Sequence, residues 1–302
     1  MKLRKGGEDL QKEIKDKSRS EEEFLASYNP EDYDRPSVTV DTLIFTVTDK
    51  PSEDIRKLDK KELKVLLIKR KNYPYKGSWA FPGGFVNIDE SLDEAVNRMV
   101  REEVNMDNIY FEQLYTYGEV KRDPRMRVLS VAYMALVPSE KLIPKMGRDV
   151  SDVQWFSISK EKINEEKKAI HLKGEDNKTT ITYCYEEKQI RRGKVFDIDI
   201  VVDDEAITQD NLAFDHKNIL IDAISRLKNK VEYTPIAFNL VGEYFTRSEI
   251  QSIYEILLDK PMTRVELWRK IKDMVVETDK VSNEKGHRPS RYYKLNEIVN
   301  NC

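Results

Sequence analysis

Cysteine, histidine and long apolar runs are scarce in this chain, and each shortage excludes a class of protein. The two cysteines, Cys184 and Cys302, lie far apart, which excludes a disulfide framework and predicts reduced thiols in a cytoplasm. The three histidines, His171, His216 and His287, are too widely spaced for a zinc or iron cluster. No apolar run approaches the ~20 residues of a membrane span, and the N-terminus lacks the apolar segment of a secretion signal.

The overall composition indicates a soluble globular protein of about two domains. Of its 302 residues, 39% are hydrophobic and 35% are charged, and glycine and proline are sparse. The net charge of -3 provides no global argument for nucleic-acid binding, so any such argument must come from local charge.

One run of residues has the spacing of a metal-ion site. The pattern is a glycine, a glutamate six positions later and then, after a gap, Arg-Glu-apolar-x-Glu-Glu-x-Gly-apolar. Its glycine is Gly84, its first glutamate is Glu90, its arginine is Arg98, and its paired glutamates are Glu102 and Glu103. This pattern resembles the Nudix box, which belongs to enzymes that cleave diphosphates. The aromatic lead-in at residues 79–82 and the pair of glycines at 83–84 support the resemblance.

Two positions depart from the box. Met99 stands where the first helix glutamate is expected, and Asn105 stands where the last glycine is expected. On a helix, positions 99, 102 and 103 share one face, where carboxylates would hold Mg²⁺ together with waters and substrate phosphates. The ion would lower the pKa of an attacking water. Because a thioether is a poor ligand for Mg²⁺, Glu102 and Glu103 remain the metal and catalytic candidates, with Arg98 to orient them. Hydrolysis is expected to be weak or absent.

An amphipathic surface helix is the alternative interpretation of the same stretch, over about 89–104. Apolar residues recur at helical spacing, and Glu94 can pair with Arg98 four positions on. The apolar positions are Leu92, Ala95, Val96, Met99 and Val100. This alternative explains the helix but not the lead-in or the glycine pair.

Alternating and β-branched segments predict a mixed sheet with helices, of the α/β or α+β class, in the N-terminal part. Strands are expected at 38–47, 65–70, 111–117, 127–137 and 153–156, followed by a hairpin of 179–186 and 195–202 in an insert at 170–204. A charged loop is expected at 50–62 and a short helix at 160–169. Residues 1–35 are expected to form a loose or partly helical tail.

Helical spacing resumes near residue 209. Helices are expected at 215–228, 235–241, 247–258 and 263–274, with Thr246 and Thr263 as N-caps, then strands at 275–281 and 291–295. Helix, turn, helix and β-hairpin is the layout of a winged helix-turn-helix domain. The predicted organisation is therefore a tail (1–35), a Nudix-like domain (36–208), and a linker helix with a winged helix (209–302).

Local charge favours DNA as a partner of the C-terminal part. Residues 260–294 contain ten basic and five acidic residues, an excess of +5, which is typical of phosphate binding. The third helix would enter a major groove and the wing would grip the backbone or minor groove. The candidate contacts are Thr263, Arg264, Arg269 and Lys270 on the helix, and Lys285, His287, Arg288 and Arg291 on the wing. For charge alone, an ordinary solvated helix face is the alternative.

The two halves in this order resemble the Nudix-related transcriptional regulators, the NrtR family, over about residues 30–298. The motifs that carry the resemblance lie at 79–86, 122–125, 212–216, 233–238 and 288–293. The resemblance implies a ligand-sensing Nudix domain fused to a winged helix, usually dimeric, that represses genes of NAD metabolism or sugar use. Damaged boxes are common among such sensors, which suits Met99.

Five residues are candidate ligand contacts: Arg70, Trp79, Phe81, Arg122 and Arg125. The aromatic faces would meet a base or sugar and the arginines a phosphate, although core packing is the alternative for Trp79 and Phe81. The expected effector is ADP-ribose or a related nucleotide, with a sugar as the second choice, and the expected partners are an operator duplex and a second copy of the chain. The alternative functions are a Mg²⁺-dependent ADP-ribose pyrophosphatase and a plain interaction module.

Overall fold

The computed structural model describes residues 20–50, 60–104, 109–139, 150–282 and 289–296, and the chain divides into two compact units after Pro36. The described part of the first unit contains helix α1 (Glu21–Ser27) and a short 3-10 helix (Pro30–Asp32). Ser20 caps α1, because its hydroxyl accepts from the amide of Glu23 and the Glu23 carboxylate accepts from the amide of Ser20. The described end of the tail is therefore partly helical, as predicted.

A ten-stranded mixed sheet is the scaffold of the second unit. Across the sheet the order is β10-β9-β8-β7-β2-β1-β6-β5, with β3 paired to β2 and β4 paired to β1. Strands β1 and β6 run parallel, and the other pairs are antiparallel. The strands are β1 (Ser37–Lys50), β2 (Lys60–Arg70), β3 (Trp79–Ala80), β4 (Gly83–Phe85), β5 (Tyr110–Tyr117), β6 (Val128–Leu136), β7 (Val150–Lys162), β8 (Lys167–Gly174), β9 (Thr180–Arg192) and β10 (Val195–Val202).

Both faces of this sheet are covered, which explains the continuous apolar run of β1. Val40 and Ile44 belong to the core beneath helix α2 (Leu92–Val104), whose apolar stripe was predicted correctly. Leu43 and Phe45, which point to the opposite face, pack with helix α3 (His216–Lys230). The linker helix α3 thus covers the second face of the sensor sheet.

The C-terminal part is a winged helix. After a 3-10 helix (Ile236–Leu240) come β11 (Phe245–Thr246), α4 (Arg247–Leu258), α5 (Arg264–Ile271), β12 (Val275–Ser282) and β13 (Ser290–Leu295), with the sheet order β11-β13-β12. Thr246 and Thr263 cap α4 and α5 through reciprocal capping boxes with Glu249 and Glu266. Both predicted N-caps and the predicted helix-turn-helix layout are confirmed.

One hydrophobic core joins the sensor sheet, the linker helix and the winged helix. It contains Leu43 and Phe45 of β1, Ile219 and Leu220 of α3, and Tyr254 of α4, and α4 also packs against β2. Ser37–Cys302 form a single compact unit. The boundary predicted at 208/209 therefore does not divide the hydrophobic core, although it would divide the two functions. It stays a prediction.

One local prediction was wrong, and two others had the wrong bounds. Residues 160–169 are not a helix, because β7 continues to Lys162 and β8 begins at Lys167, with a turn between them. Their many Lys and Glu residues favour a helix, but pairing of β7 with β8 overrides that propensity. The strand predicted at 153–156 is much longer, and the helix predicted at 263–274 ends at Ile271. The middle of the predicted loop at 50–62 lies outside the described residues.

Candidate functional site

The Nudix box forms a loop and helix in which Arg98 holds Glu90. Arg98 Nε donates to Glu90 Oε2 (2.9 Å), Nη2 donates to Glu90 Oε1, and Nη2 also donates to the carbonyl of Phe85 (3.2 Å). The Arg98 hydrogen bond, together with that from the amide of Asn87, lowers the pKa of Glu90 to about 2. Arg98 therefore positions the loop before the helix. Glu94 does not pair with it, because its carboxylate accepts from the amide of Ser91 (2.7 Å) at the helix start.

Met99 belongs to the core, and it faces the box glycine. Its side chain is buried with Ala95 and Val96 against the sheet. A Cβ added to Gly84 would lie 3.2 Å from Met99 Cε and 3.5 Å from its sulfur. The thioether thus occupies the space beside Gly84 where a metal-binding carboxylate was expected.

The structure describes only part of the predicted magnesium site. Glu102 is exposed on α2, Glu90 is engaged by Arg98, and the side chain of Glu103 and the whole of Asn105 lie outside the described residues. Across the described ranges, no three His, Cys, Asp or Glu side chains are grouped to hold a metal ion. Mg²⁺ prefers a shell of several hard oxygen ligands, to which Glu102 would contribute one.

The segment 211–216, which leads into α3, is clamped to the sensor sheet; we name it the linker segment. The amide of Trp79 donates to the carbonyl of Asn211 (2.9 Å), and the amide of Ala213 donates to the carbonyl of Trp79 (2.7 Å). The hydroxyl of Tyr183 accepts from the amide of Leu212 (2.9 Å). The linker segment therefore behaves as a short parallel strand beside β3.

A buried polar network fixes the start of α3. Arg122 binds Asp215 through two hydrogen bonds of 2.9 and 2.7 Å, and its Nη2 lies 3.5 Å from Asp41 of β1. The Arg122 side chain is only 4% exposed. The amide of Phe81 donates to His216 Nδ1 (3.0 Å), and His216 Nε2 faces Asp41 at 3.6 Å.

Aromatic side chains extend this network to the loop at 71–78. The rings of Phe81 and His216 stack at 4.9 Å, Phe214 lies 5.6 Å from His216, and Tyr75 lies 4.7 Å from Phe214. Arg70 lies over Phe214 at 5.0 Å. Phe214 and Tyr75 have positive φ angles of 53° and 56°, a strained conformation for bulky residues that only dense surroundings maintain.

Four of the five predicted ligand contacts meet at the linker segment. Trp79 is 0% exposed and Phe81 2%, so core packing accounts for both, and no ring face is open to a base or sugar. The guanidinium of Arg122 is bound to carboxylates, and the guanidinium of Arg70 lies over the ring of Phe214. Arg125 alone of the five lies toward the box, over the ring of Phe85 at 5.4 Å, with its guanidinium bound to Asp123.

Asp41, Ser130, Asp215 and His216 were not predicted as site residues. Asp41 was visible as a lone acid in an apolar strand, and Asp215 with His216 as a polar pair after the apolar residues 212–214. Their role depends on contacts that the sequence cannot supply, because Arg122 and Asp215 are 93 residues apart.

Acid is expected to weaken the network through Asp41. Burial alone would raise the pKa of this carboxyl, but the charge and hydrogen bonding of His216, the Ser130 hydroxyl and the charge of Arg122 lower it from 3.8 to about 2. A folded pKa below the unfolded value means that this stabilisation is present above pH 3.8 and is lost as the pH falls toward 2. It amounts to about 2 kcal/mol.

Urea unfolding between pH 2 and 6 tests this expectation. Asp41→Asn should flatten the acid limb of the stability curve. The control Asp49→Asn, at a side chain that is 60% exposed, should leave that limb unchanged. Parallel curves for wild type and Asp41→Asn would contradict the expectation.

In the winged helix, α5 presents an exposed basic face. Arg264 and Arg269 are exposed, and Val265 between them is 67% exposed. Thr263 serves as the N-cap. The turn before α5 is held by α4, because Gln251 Nε2 donates to the carbonyl of Met262 (2.8 Å) and Glu255 accepts from the amide of Met262 (3.0 Å). These bonds position the helix that was predicted to enter the major groove.

The other predicted DNA contacts differ in their surroundings. Lys270 donates to the carbonyl of Glu232 after α3, so it ties α5 to the end of the linker helix. Arg291 on β13 is 65% exposed and pairs with Glu277. Arg247, which was not predicted, is exposed at the start of α4 and stacks on Trp268 at 3.8 Å. Lys285, His287 and Arg288 lie outside the described residues.

Known proteins match both halves of this architecture. A model of the Nudix domain family matches residues 54–173, and a model of the NrtR DNA-binding winged helix domain matches residues 237–295. The chain is 32% identical over 279 residues to a protein of Acinetobacter baylyi described as the ADPR responsive transcriptional repressor NtrR, covering 91% of this chain and 88% of the relative.

Two crystal structures share the fold over most of their length. A MutT/nudix family protein from Enterococcus faecalis is 28% identical, with a TM-score of 0.67 over 97% of this chain and 100% of that one. Shewanella oneidensis NrtR in complex with a 27mer DNA is 28% identical, with a TM-score of 0.58 over 86% and 93% of the two chains. No helix within the described ranges is both long and apolar enough to cross a bilayer. The chain belongs to the NrtR family of transcriptional regulators, in which a Nudix domain is fused to a DNA-binding winged helix.

Proposed function

We propose that this protein is a cytoplasmic transcriptional repressor that binds its operator as a homodimer and responds to ADP-ribose or a related nucleotide bound at the Nudix box. The description of the Acinetobacter baylyi relative as ADPR responsive supports this effector, and a sugar is the second choice. A symmetric dimer would place two α5 helices about 34 Å apart on a palindromic site.

The observation that carries the proposal is a turn with two arginines. Arg125 of this turn lies over Phe85 beside the box, and Arg122 of the same turn holds Asp215 at the start of the linker helix. A phosphate that draws Arg125 from Asp123 would shift the turn, and the shift would reach α3 through Arg122. Because α3 shares one core with the winged helix, the effector would alter DNA affinity through differential binding to two states.

Asp215→Asn tests this route. We expect the variant to retain operator binding at low salt but to lose most of its response to ADP-ribose, since the amide cannot hold the guanidinium through two charge-assisted bonds. Fluorescence anisotropy on the DNA upstream of the protein's own gene, with and without ADP-ribose, measures both quantities. Circular dichroism at the assay temperature checks that the variant is folded.

Asp222→Asn is the matched control on the same helix, because its carboxylate accepts a hydrogen bond from Tyr117 (2.7 Å) rather than from an arginine of the turn. It should respond as the wild type does. An ADP-ribose response in Asp215→Asn equal to that of wild type would overturn the route while leaving the regulator intact. Absence of operator binding in the wild type would overturn the proposed function itself.

Efficient ADP-ribose hydrolysis is the competing function, with Glu102 and Glu103 as its metal ligands. The buried thioether at position 99 argues against it, and replacing that residue tests both. We expect Met99→Glu to lower the free energy of unfolding by about 2–4 kcal/mol without Mg²⁺, because a carboxylate replaces an apolar group in the core. With Mg²⁺, the variant should regain stability and hydrolyse ADP-ribose faster than the wild type.

Met99→Gln is the control for Met99→Glu, since it shares the loss of apolar packing but adds no metal ligand; it should gain neither stability nor hydrolysis from Mg²⁺. Release of the phosphate monoesters AMP and ribose 5-phosphate and thermal unfolding provide the measurements. Vigorous hydrolysis by the wild type that Glu103→Gln abolishes would favour the enzyme over the sensor.

A further inference from the structure

A groove of about 200 Å³ lies where the outer strands of the sheet, the linker helix α3 and the end of α4 meet. Its floor is apolar and buried, formed by Ile170 of β8, Tyr185 of β9, and Ile221 and Ile224 of α3. The groove lies on the face of the sheet covered by α3, opposite the face that carries the box helix α2. It is therefore separate from the Nudix box.

Lysines form the rim of this groove. Lys160 and Lys168 extend from adjacent strands, and Lys228 extends from α3. Lys168 pairs with Glu187 at 2.6 Å. Within the described part of the chain, neither Lys160 nor Lys228 forms an ion pair with a carboxylate, so two ammonium groups face the groove without a bound counter-charge.

The groove removes part of the hydration of Lys160. This desolvation lowers the pKa of Lys160; the charge of Asp259 at the end of α4 opposes the shift, the charges of Lys228 and Lys168 add to it, and Glu187 opposes it more weakly. Like charges brought together in a partly dry groove repel each other, and an anion between them would remove the repulsion.

We propose that this groove binds a small phosphomonoester, with its dianionic phosphate between Lys160 and Lys228 and its organic part on the floor beside Tyr185. Two ammonium groups match the charge of one phosphate monoester and would donate charge-assisted hydrogen bonds to it. The hydroxyl of Ser225 on α3 adds a further donor at the groove.

The carboxylates at the rim favour a small ligand over a polyanion. Asp259, Glu187 and Glu161 surround the lysines, and their charge would repel the extended phosphate backbone of a nucleic acid. A volume of about 200 Å³ fits a phosphorylated sugar better than a dinucleotide. Since Asp259 belongs to the winged helix and Lys228 to the linker helix, the ligand would bridge the sensor sheet to both.

Isothermal titration of the full-length protein without DNA tests the proposal, using ribose 5-phosphate, inorganic phosphate and uncharged ribose as probes at low salt. We expect both phosphates to bind and ribose not to bind. Lys160→Gln and Lys228→Gln should each weaken ribose 5-phosphate binding by at least about tenfold, the loss typical of one hydrogen bond to a charged group. Lys167→Gln is the matched control, because that lysine of β8 does not line the groove and pairs with Asp203 (2.9 Å); it should change binding less than about twofold.

Thermal unfolding without phosphate separates binding from a structural role. Lys160→Gln should unfold at the same or a higher temperature than wild type, because it removes a partly desolvated ammonium group, whereas loss of a structural lysine would lower the unfolding temperature. No phosphate binding by the wild type, or unchanged binding in both Lys160→Gln and Lys228→Gln, would overturn the proposal. Because DNA is absent, these results do not depend on operator binding or on the response to ADP-ribose.

Discussion

Arg122→Ala is expected to lower the free energy of unfolding by about 3–5 kcal/mol, because it removes a buried cation that binds Asp215 and lies beside Asp41, two carboxylates with little exposure to solvent. Asp215 would lose both hydrogen bonds, and Asp41 would lose a cation 3.5 Å away. The side chains of Asp41 and Asp215 are only 12% and 16% exposed, so water can replace the lost guanidinium only in part. Urea unfolding monitored by circular dichroism provides the measurement.

Arg125→Ala is a matched control within the same turn. Arg125 also binds an aspartate through two hydrogen bonds, but its side chain is 39% exposed, so its removal should cost about 1 kcal/mol or less. A double-mutant cycle of Arg122→Ala with Asp215→Ala should show strong coupling, because each single change leaves the other residue of the pair without its binding partner. Equal losses for Arg122→Ala and Arg125→Ala would refute the assignment of Arg122 to a buried network.

The double variant Arg264→Ala/Arg269→Ala is expected to weaken operator binding by at least about a hundredfold, since each base or phosphate contact of a recognition helix contributes about 1–3 kcal/mol. Both side chains are exposed on α5, beside the exposed Val265 and away from the core formed by Leu267 and Ile271. The fold should therefore be unaffected, and the loss should appear in DNA affinity alone. The slope of affinity against salt should also become shallower, because fewer phosphates are neutralised.

Two comparisons make this result specific. Arg192→Ala removes an exposed arginine from the hairpin of β9 and β10 and should leave DNA affinity within about twofold of wild type. Lys270→Ala should act mainly on stability, because Lys270 binds the carbonyl of Glu232 at the end of the linker. Operator affinity retained by the double variant would exclude α5 as the recognition helix.

Predictions that depended on neighbouring residues were confirmed. Thr246 and Thr263 cap their helices through partners three residues on, and the apolar stripe of α2 follows from helical spacing. The wrong prediction at 160–169 shows the limit, because this segment of high helix propensity forms strand and turn where β7 pairs with β8. The same limit applies to the predicted ligand contacts. Arg122 and Arg125 were expected from their residue type to bind phosphate, but in the folded chain they bind aspartates.

The amino-acid sequence by itself determined the family, the order of sensor and DNA-binding domain, the missing box carboxylate at Met99 and the basic face of α5. Each of these features depends on residues that lie close together along the chain. Only the tertiary structure decided that Arg122, Phe81 and Trp79 hold the linker segment, and that one core continues from the sensor sheet into the winged helix. The physical reason is that a buried charge or ring takes its role from whichever groups surround it, and those groups arrive from strands and helices far away in sequence.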